Sequence, residues 1–475
     1  MNYHSHYSTA TARHPVETCV VGSGGFGRSF LAQGRRVPLM NARIAIDRES
    51  DIAVAALRSV GVAAADIAVC DTAAQARLAW AQGRFIASAD LRAVAELPID
   101  LVVEATGHPE AGARHSRIAI EAGHHLALAS KEVDSVVGPG LARLAQQRGK
   151  VVTPVDGDQP SLLIGLITWA QTLGFQIVAA GKSSEYDFVF DAARSTMTSN
   201  GQTVPVPGFA AHWAAGERAV AELTKARSLA CAALPQLAVP DLCELLVVAN
   251  ATGLMPDRPQ LHAPIARIPE VASLFGSRQE GGLLSQSGRL DVFHCLRAAD
   301  EASFAGGVFV IVHCEDRETW ELLAAKGHLL SRDGQRAMLY LPRHLLGLEA
   351  ATSVLDAVLH GKSSGAQAPQ PRLDLVARST RALTAGAVLE MGGHHHSIDG
   401  TVAELVPAAA LSPGVPLPFY LAANRRLVRD VKAGAPICFD DVEIDPASDL
   451  LALRQEQDAA FFGQGAQTMA SALAA

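Results

Sequence analysis

Aromatic residues are scarce: Phe, Trp and Tyr make up 5% of the 475 residues, so the interior must be built mainly from aliphatic side chains, as in sheets covered by helices. The seven cysteines, Cys19, Cys70, Cys231, Cys243, Cys295, Cys314 and Cys438, are odd in number, scattered and never spaced C-x-x-C. That excludes a disulfide framework and reads as reduced cytosolic thiols. Long apolar runs are missing too. The stretch around Leu162 to Trp169 is interrupted by Gly165 and falls well short of the ~20 residues a spanning helix needs. The opening MNYHSHYSTATARHP lacks the apolar core of a secretory signal. Basic charge is in deficit, 40 Lys and Arg against 48 Asp and Glu, a net −8, so no global positive field invites nucleic acid or an anionic membrane. The expectation is a cytoplasmic protein with small-molecule partners.

What the chain does have is length and apolar content. At ~150 residues per domain it should hold two or three, and 49% hydrophobic residues exclude wholesale disorder. Thr18 to Val21 is a short apolar run that stops at Gly22-Ser-Gly24-Gly25-Phe26-Gly27, before a helix-compatible stretch. A second strand, Ala42 to Ile46, ends in Asp47-Arg48; helical patterns at 52–60 and 110–123 alternate with strands at 100–103 and 125–129. Such alternation predicts an α/β fold of Rossmann type, a doubly wound parallel sheet with its ligand at the carboxyl ends of the strands. The glycine spacing fits a dinucleotide turn: one glycine for the turn, one for close approach to pyrophosphate, one for helix packing. Asp47, twenty residues after Gly27, can accept from ribose hydroxyls; Arg48 can meet a 2′-phosphate or simply face solvent, which leaves NADP and NAD both open. Ala105-Thr106-Gly107, after the strand at 100–103, should line the nicotinamide side. Lys131, at another carboxyl edge, can donate to a developing alkoxide or pair with Glu132 in solvent.

From residue 154 the pattern becomes α+β, with strand-like runs at 176–180, 245–249 and 307–312. The expected organisation is a polar tail over 1–15, the dinucleotide domain over 16–153 and a catalytic domain over 154–361, closed by an amphipathic helix between His344 and His360. A linker over 362–372 follows, then a small β-rich domain over 373–447 and a tail over 448–475, either a surface helix or frayed. Within the β-rich segment Arg381-Ala-Leu-Thr-Ala-Gly386 and Arg429-Asp-Val-Lys-Ala-Gly434 repeat, which suggests pseudo-symmetric strands. Gly181-Lys-Ser-Ser-Glu-Tyr-Asp-Phe188 is the densest polar cluster of the second domain. Lys182, Ser183 and Ser184 offer donors for phosphate or carboxylate; Glu185 and Asp187 suit acid/base work or a hard cation such as magnesium or manganese. The same segment also reads as a polar loop capping a strand. Lys225, Asp241 and Glu244 are ionisable, but nothing in the sequence places them in a site. Asp158 and Gln159 read as a hinge, His262, His294 and His328 as structural groups. The run His394-His395-His396 is a poor metal site because consecutive strand residues face opposite ways.

These residues carry a resemblance. Gly22 to Gly27, Asp100-Leu-Val-Val-Glu-Ala-Thr-Gly107 and Ser130-Lys-Glu132 resemble the nucleotide-binding domain of homoserine dehydrogenases. Gly157-Asp-Gln-Pro160, residues 181–188, Ala249-Asn-Ala-Thr-Gly-Leu254 and Asp300-Glu-Ala-Ser-Phe-Ala-Gly-Gly307 resemble the deoxyxylulose-phosphate reductoisomerase-like (DRL) oxidoreductases. The segment 373–443 is similar to an SAF domain, a β-clip fold. The resemblance implies an NAD(P)H-dependent oxidoreductase, a homo-oligomer, that converts 1-deoxy-D-xylulose 5-phosphate to 2-C-methyl-D-erythritol 4-phosphate in isoprenoid biosynthesis, or acts on a similar small polyol or sugar phosphate. Lys182, Glu185, Asp187 and Lys131 would then be the catalytic candidates and Ser183 and Ser184 the substrate-binding ones. A homoserine dehydrogenase-like reductase of aspartate semialdehyde and a non-catalytic dinucleotide-sensing scaffold are the competing readings.

Overall fold

The computed structural model describes residues 2–7, 15–393 and 395–463. Two compact units are drawn from it, one from Met1–Ser161, Leu345–Glu390 and Pro407–Ala475, the other from Leu162–His344 and Met391–Val406.

The first unit opens with a single helical turn, α1 (Tyr3–His6), and continues with β1 (Val16–Val21), α2 (Gly25–Gly34), β2 (Met40–Ile46) and α3 (Ser50–Ser59). Then come β3 (Ile67–Val69), α4 (Ala73–Ala81), β4 (Phe85–Ser88), β5 (Leu101–Glu104), α5 (Pro109–Glu121), β6 (His125–Leu128), α6 (Lys131–Gln146) and β7 (Val152–Pro154). The strands form one sheet in the order β3-β4-β2-β1-β5-β6-β7, every pairing parallel. The expected doubly wound sheet is therefore present. Its strands are nearly continuous apolar runs because helices cover both faces. Strand order reverses between β1 and β5, which places the crevice for a ligand beyond their carboxyl ends.

The helical segment after His344 packs here, where the linear boundaries assigned it to the second domain. It is a short α-helix, Ala351–Leu355, continuing as a π-helical turn, Asp356–His360. Val354, Leu355 and Ala357 share one core with Phe30 and Leu31 of α2 and with Leu101 and Val103 of β5, which explains the placement. The composition-defined linker is also fastened: Ser364 N–H donates to Thr153 Oγ1 at 2.9 Å. The two hexapeptide repeats meet directly, Leu383 and Val431 exchanging backbone hydrogen bonds of 2.9 Å each way. The helix Asp449–Phe462 is not a surface helix. Arg454 is fully buried, grips both oxygens of Asp374 at 2.5 and 2.8 Å and reaches Asp458, while Gln457 Oε1 accepts from Gly140 N of α6.

The second unit, entered through α7 (Gln159–Thr172), carries β8 (Ile177–Ser183), β9 (Phe188–Asp191), β10 (Thr196–Ser199), β11 (Gln202–Pro205), α8 (Val220–Ala230) and α9 (Val239–Thr252). It continues with β12 (Met255–Pro256), β13 (Ile265–Ala266), β14 (Arg289–Arg297), β15 (Val308–His313), β16 (Leu329–Leu330) and β17 (Arg336–Leu341). Its sheet is mixed, in the order β11-β10-β9-β14-β8-β15-β17-β16; β14 runs parallel to β8, β15 antiparallel. Residues 245–249, expected as a strand, lie inside α9. That helix is buried from Asp241 to Asn250, so it lacks the polar face that would have marked a helical period. No helix among the described residues is long and apolar enough to cross a membrane.

Candidate active site

The first unit supplies a dinucleotide cradle. Gly22 sits at φ +95, and a Cβ there would come within 2.4 Å of the Ala105 carbonyl, so the turn after β1 passes against the turn after β5 too closely for any side chain. Gly27 is equally constrained: its Cβ would meet the Gly22 carbonyl at 2.0 Å, which lets α2 start directly behind the strand. Gly24 and Gly25 differ, for a Cβ on either meets nothing within 4 Å. They leave open space at the start of α2, where the amides of Gly25, Phe26 and Gly27 belong to the unpaired first turn. An anion can lie there on backbone N–H groups and the positive end of the helix dipole. Asp47 ends β2 and accepts from Ser23 N at 2.7 Å and from Arg48 N at 2.8 Å. A carboxylate with roughly four acceptor positions keeps capacity for ribose hydroxyls. The Arg48 side chain is 81% exposed, its closest carboxylate Glu49 at 3.9 Å. These residues fit a nicotinamide dinucleotide.

Across the crevice Glu104 is fully buried and accepts from both Thr106 N (3.1 Å) and Thr106 Oγ1 (2.5 Å), and Gly107 N donates to Ser130 Oγ at 2.8 Å. The Ala105–Gly107 turn is thus held from both sides. Lys131 begins α6, half-buried. Its neighbour Glu132 is buried, and desolvation pushes that carboxyl up to about 7 against the opposing charge of Lys131, with Asp158 and Glu104 adding to the rise.

The second unit gathers a different kind of site. β8 runs past Ala180 to Ser183, so Lys182 and Ser183 belong to a buried strand and not to a loop. Lys182 Nζ donates to Asp241 Oδ1 at 2.7 Å and to Glu244 Oε2. Lys182 is 2% exposed and the two carboxylate residues 4% and 2%, so three charged groups lie together out of water. Asp241 and Glu244 are three apart on α9, on one face. The helix is started by Pro240, by the first-turn acid Asp241 and by Val239 N donating to His395 O at 3.2 Å; it is stopped by left-handed Gly253. His294 of β14 lies beside this group. Its ring Nε2–H donates to Gln236 O at 2.7 Å and the ring meets Phe188 edge-on; burial lowers its pKa, with the Asp241 charge opposing.

Other expected residues fall elsewhere. Glu185 is exposed, while Asp187 Oδ2 is taken by Arg297 at 2.5 Å and its Oδ1 is buried without a hydrogen-bond partner. That leaves Asp187 one uncommitted buried oxygen, beside an arginine. Ser183 Oγ is buried without a partner, and Ser184 N donates to Phe293 O at 2.8 Å. Lys131 belongs to the first unit and Lys182 to the second. His394 lies outside the described residues; His395 packs against Tyr186 with ring centroids 5.5 Å apart. Lys225 and His262 line a cavity of about 510 Å³ with Thr224, Ser228, Gln236 and Arg258, a basic and hydroxyl-bearing hollow that shares Gln236 with the His294 contact. The sequence signal for Asp241 and Glu244 was two acids three apart inside an apolar stretch, visible only once that stretch is taken as a helix.

Residues 238–350 match the family model described as "Oxidoreductase DRL, catalytic domain". The match takes in Asp241, Glu244 and His294. No curated protein matches the chain. Among solved structures, DOX-P reductoisomerase in complex with magnesium is 18% identical over 36% of this chain and 46% of its own, with a TM-score of 0.26. The chain therefore spans less than half the length of that protein. An oxidoreductase from Bacillus cereus is 11% identical over 73% of this chain and 89% of its own, TM-score 0.33. Biliverdin reductase from Synechocystis sp. PCC 6803, in complex with biliverdin and NADP+, is 15% identical over 73% and 92%, TM-score 0.32.

Proposed function

We propose that the protein is an NAD(P)H-dependent oxidoreductase of the DRL type, acting on a small phosphorylated or polyhydroxylated carbonyl compound, with 1-deoxy-D-xylulose 5-phosphate as the leading substrate. The observation that carries this reading is Lys182 held out of water between Asp241 and Glu244. An ammonium so placed can give a proton to a carbonyl oxygen as negative charge develops on it, and the two carboxylates fix its position and its charge. The cofactor, when bound, supplies the hydride. Gly25, Phe26 and Gly27 offer their amides to its pyrophosphate, Asp47 accepts from its ribose, and Arg48 is the residue for a 2′-phosphate, which favours NADP. Lys225, Arg258 and the Thr224 and Ser228 hydroxyls suit the anionic end of the substrate. In this reading Lys182 provides the positive charge that a magnesium or manganese ion would otherwise contribute, and Lys131 is a secondary donor. The 373–447 segment is taken as an SAF-like unit serving packing or oligomer contacts.

The test is NADPH and NADH oxidation over a panel of ketose phosphates, tetroses and aspartate semialdehyde, with and without magnesium or manganese. Preference for the deoxyxylulose phosphate, without an absolute need for metal, is the expected outcome. Turnover of aspartate semialdehyde alone would move the protein to the homoserine dehydrogenase-like reading, and binding of neither dinucleotide in a fluorescence titration would end the enzyme reading altogether.

A further inference from the structure

We propose that His6, Asp356 and His360 form a site for one first-row divalent cation of the zinc class, which fastens the opening turn of the chain to the π-helical turn ending at Gly361. All three residues belong to the first unit, and none has a part in the chemistry proposed above.

α1 places His6 against the segment Asp356–His360. His6 Nε2 lies 2.8 Å from Asp356 Oδ1, the His6 and His360 rings are 4.5 Å apart between centroids, and one ligand atom from each of the three residues falls within 4.8 Å of the others. Ligands around a tetrahedral zinc at ~2.0–2.1 Å sit about 3.3 Å from one another, so modest ring rotations bring this trio to coordination distance. A His6–Asp356 hydrogen bond would account for two of the groups but not for the third. His360 Nε2 is buried and has no hydrogen-bond partner, a condition that costs about 1–3 kcal/mol for an ordinary polar group and is relieved when a metal takes the lone pair.

The local backbone supports the same reading. Asp356 and His360 stand four apart in a π-helical turn, a rare element that recurs at functional positions. Tyr7 covers the group: its ring stacks on His360 at 5.9 Å and 19°, and its hydroxyl donates to Thr352 O at 3.3 Å. Two imidazoles and one carboxylate suit zinc, cobalt, nickel or ferrous iron and are a poor set for calcium or magnesium, which take oxygen. Three protein ligands leave a fourth position for water.

The experiment uses the full chain without an affinity tag, stripped with a chelator and titrated with Co2+ and then Zn2+. One cobalt per chain with visible ligand-field bands, one zinc per chain by mass spectrometry, and a zinc-dependent rise in Tm are expected. His6→Ala, a change outside the sheet, should weaken zinc binding by roughly 100-fold and abolish the Tm rise, with far-UV circular dichroism unchanged. Replacing His395 and His396 with Ala should leave binding intact. Equal binding by wild type and His6→Ala, loss of binding in the His395/His396 variant instead, or no stoichiometric binding at all would each overturn the proposal.

Discussion

The two candidate sites are built on opposite principles. The dinucleotide cradle of the first unit works by what is missing: glycines remove side chains so that backbone amides face a ligand, and Gly24 and Gly25 leave the entrance open. The Lys182 group of the second unit works by what is crowded in, three charges almost without solvent. Burying one ammonium against two carboxylates is costly unless all remain together, whereas the glycine turn of the cradle buries no charge. At Gly24 and Gly25 the first site can be altered with little effect on folding, though not at Gly22 or Gly27; the second cannot be altered so.

Lys182→Ala should break that contrast hardest. It strands Asp241 and Glu244 without their cation and should cost about 3–5 kcal/mol of stability, read as a lowered urea midpoint, with turnover lost. An unchanged midpoint would show that the pair is not dry. The next effect belongs to the first unit and depends on pH. The Glu132 carboxyl is raised in the folded chain, from 4.5 to about 7, so the native form keeps a proton that the unfolded chain has released. Its contribution is present below about 4.5 and is lost as pH rises through 7. Glu132→Gln, which keeps the neutral form, should therefore gain about 3 kcal/mol at pH 8 and almost nothing at pH 4, measured by thermal denaturation at both values. A gain that does not change with pH would assign the effect to packing.

Gly25→Ala sharpens the comparison from the other side. The Cβ has room, and alanine suits a helix, so Tm should hold or rise slightly; a methyl at the mouth of the cradle should still weaken NADPH binding about tenfold, or ~1.4 kcal/mol. A dinucleotide titration alongside the melting curve separates the two. Arg48→Ala should be the smallest change, reducing NADPH affinity a few-fold through the loss of about 1 kcal/mol at an exposed ion pair while leaving NADH binding alone. Equal loss for both cofactors would remove the 2′-phosphate role.

Much of the first site could be read in the sequence because its parts are local. Strand, glycine turn, helix and Asp47 lie within thirty-two residues, Val16 to Asp47, and each announces itself by residue type. The short strands Ile67–Val69 and Phe85–Ser88 escaped because three or four apolar residues carry no usable period. The second site was half visible. Lys182 stood out, but as part of a loop, since a lysine fully buried in a strand is rare. Its partners lie 59 and 62 residues further on, in a helix buried on every side that reads like a strand. Nothing local links them; the packing of α9 on the sheet does.

The first unit also has a consequence for synthesis. Its core joins Phe30 and Leu31 to Val354 and Leu355, and its α6 is gripped by Gln457, so although all seven strands have emerged when residue 161 leaves the ribosome, the core they belong to is still without its cover. About 300 further residues must emerge, which at 5–20 residues per second means roughly 15–60 s during which an apolar face of the nascent parallel sheet waits for its cover. That interval is when a chaperone has most to do.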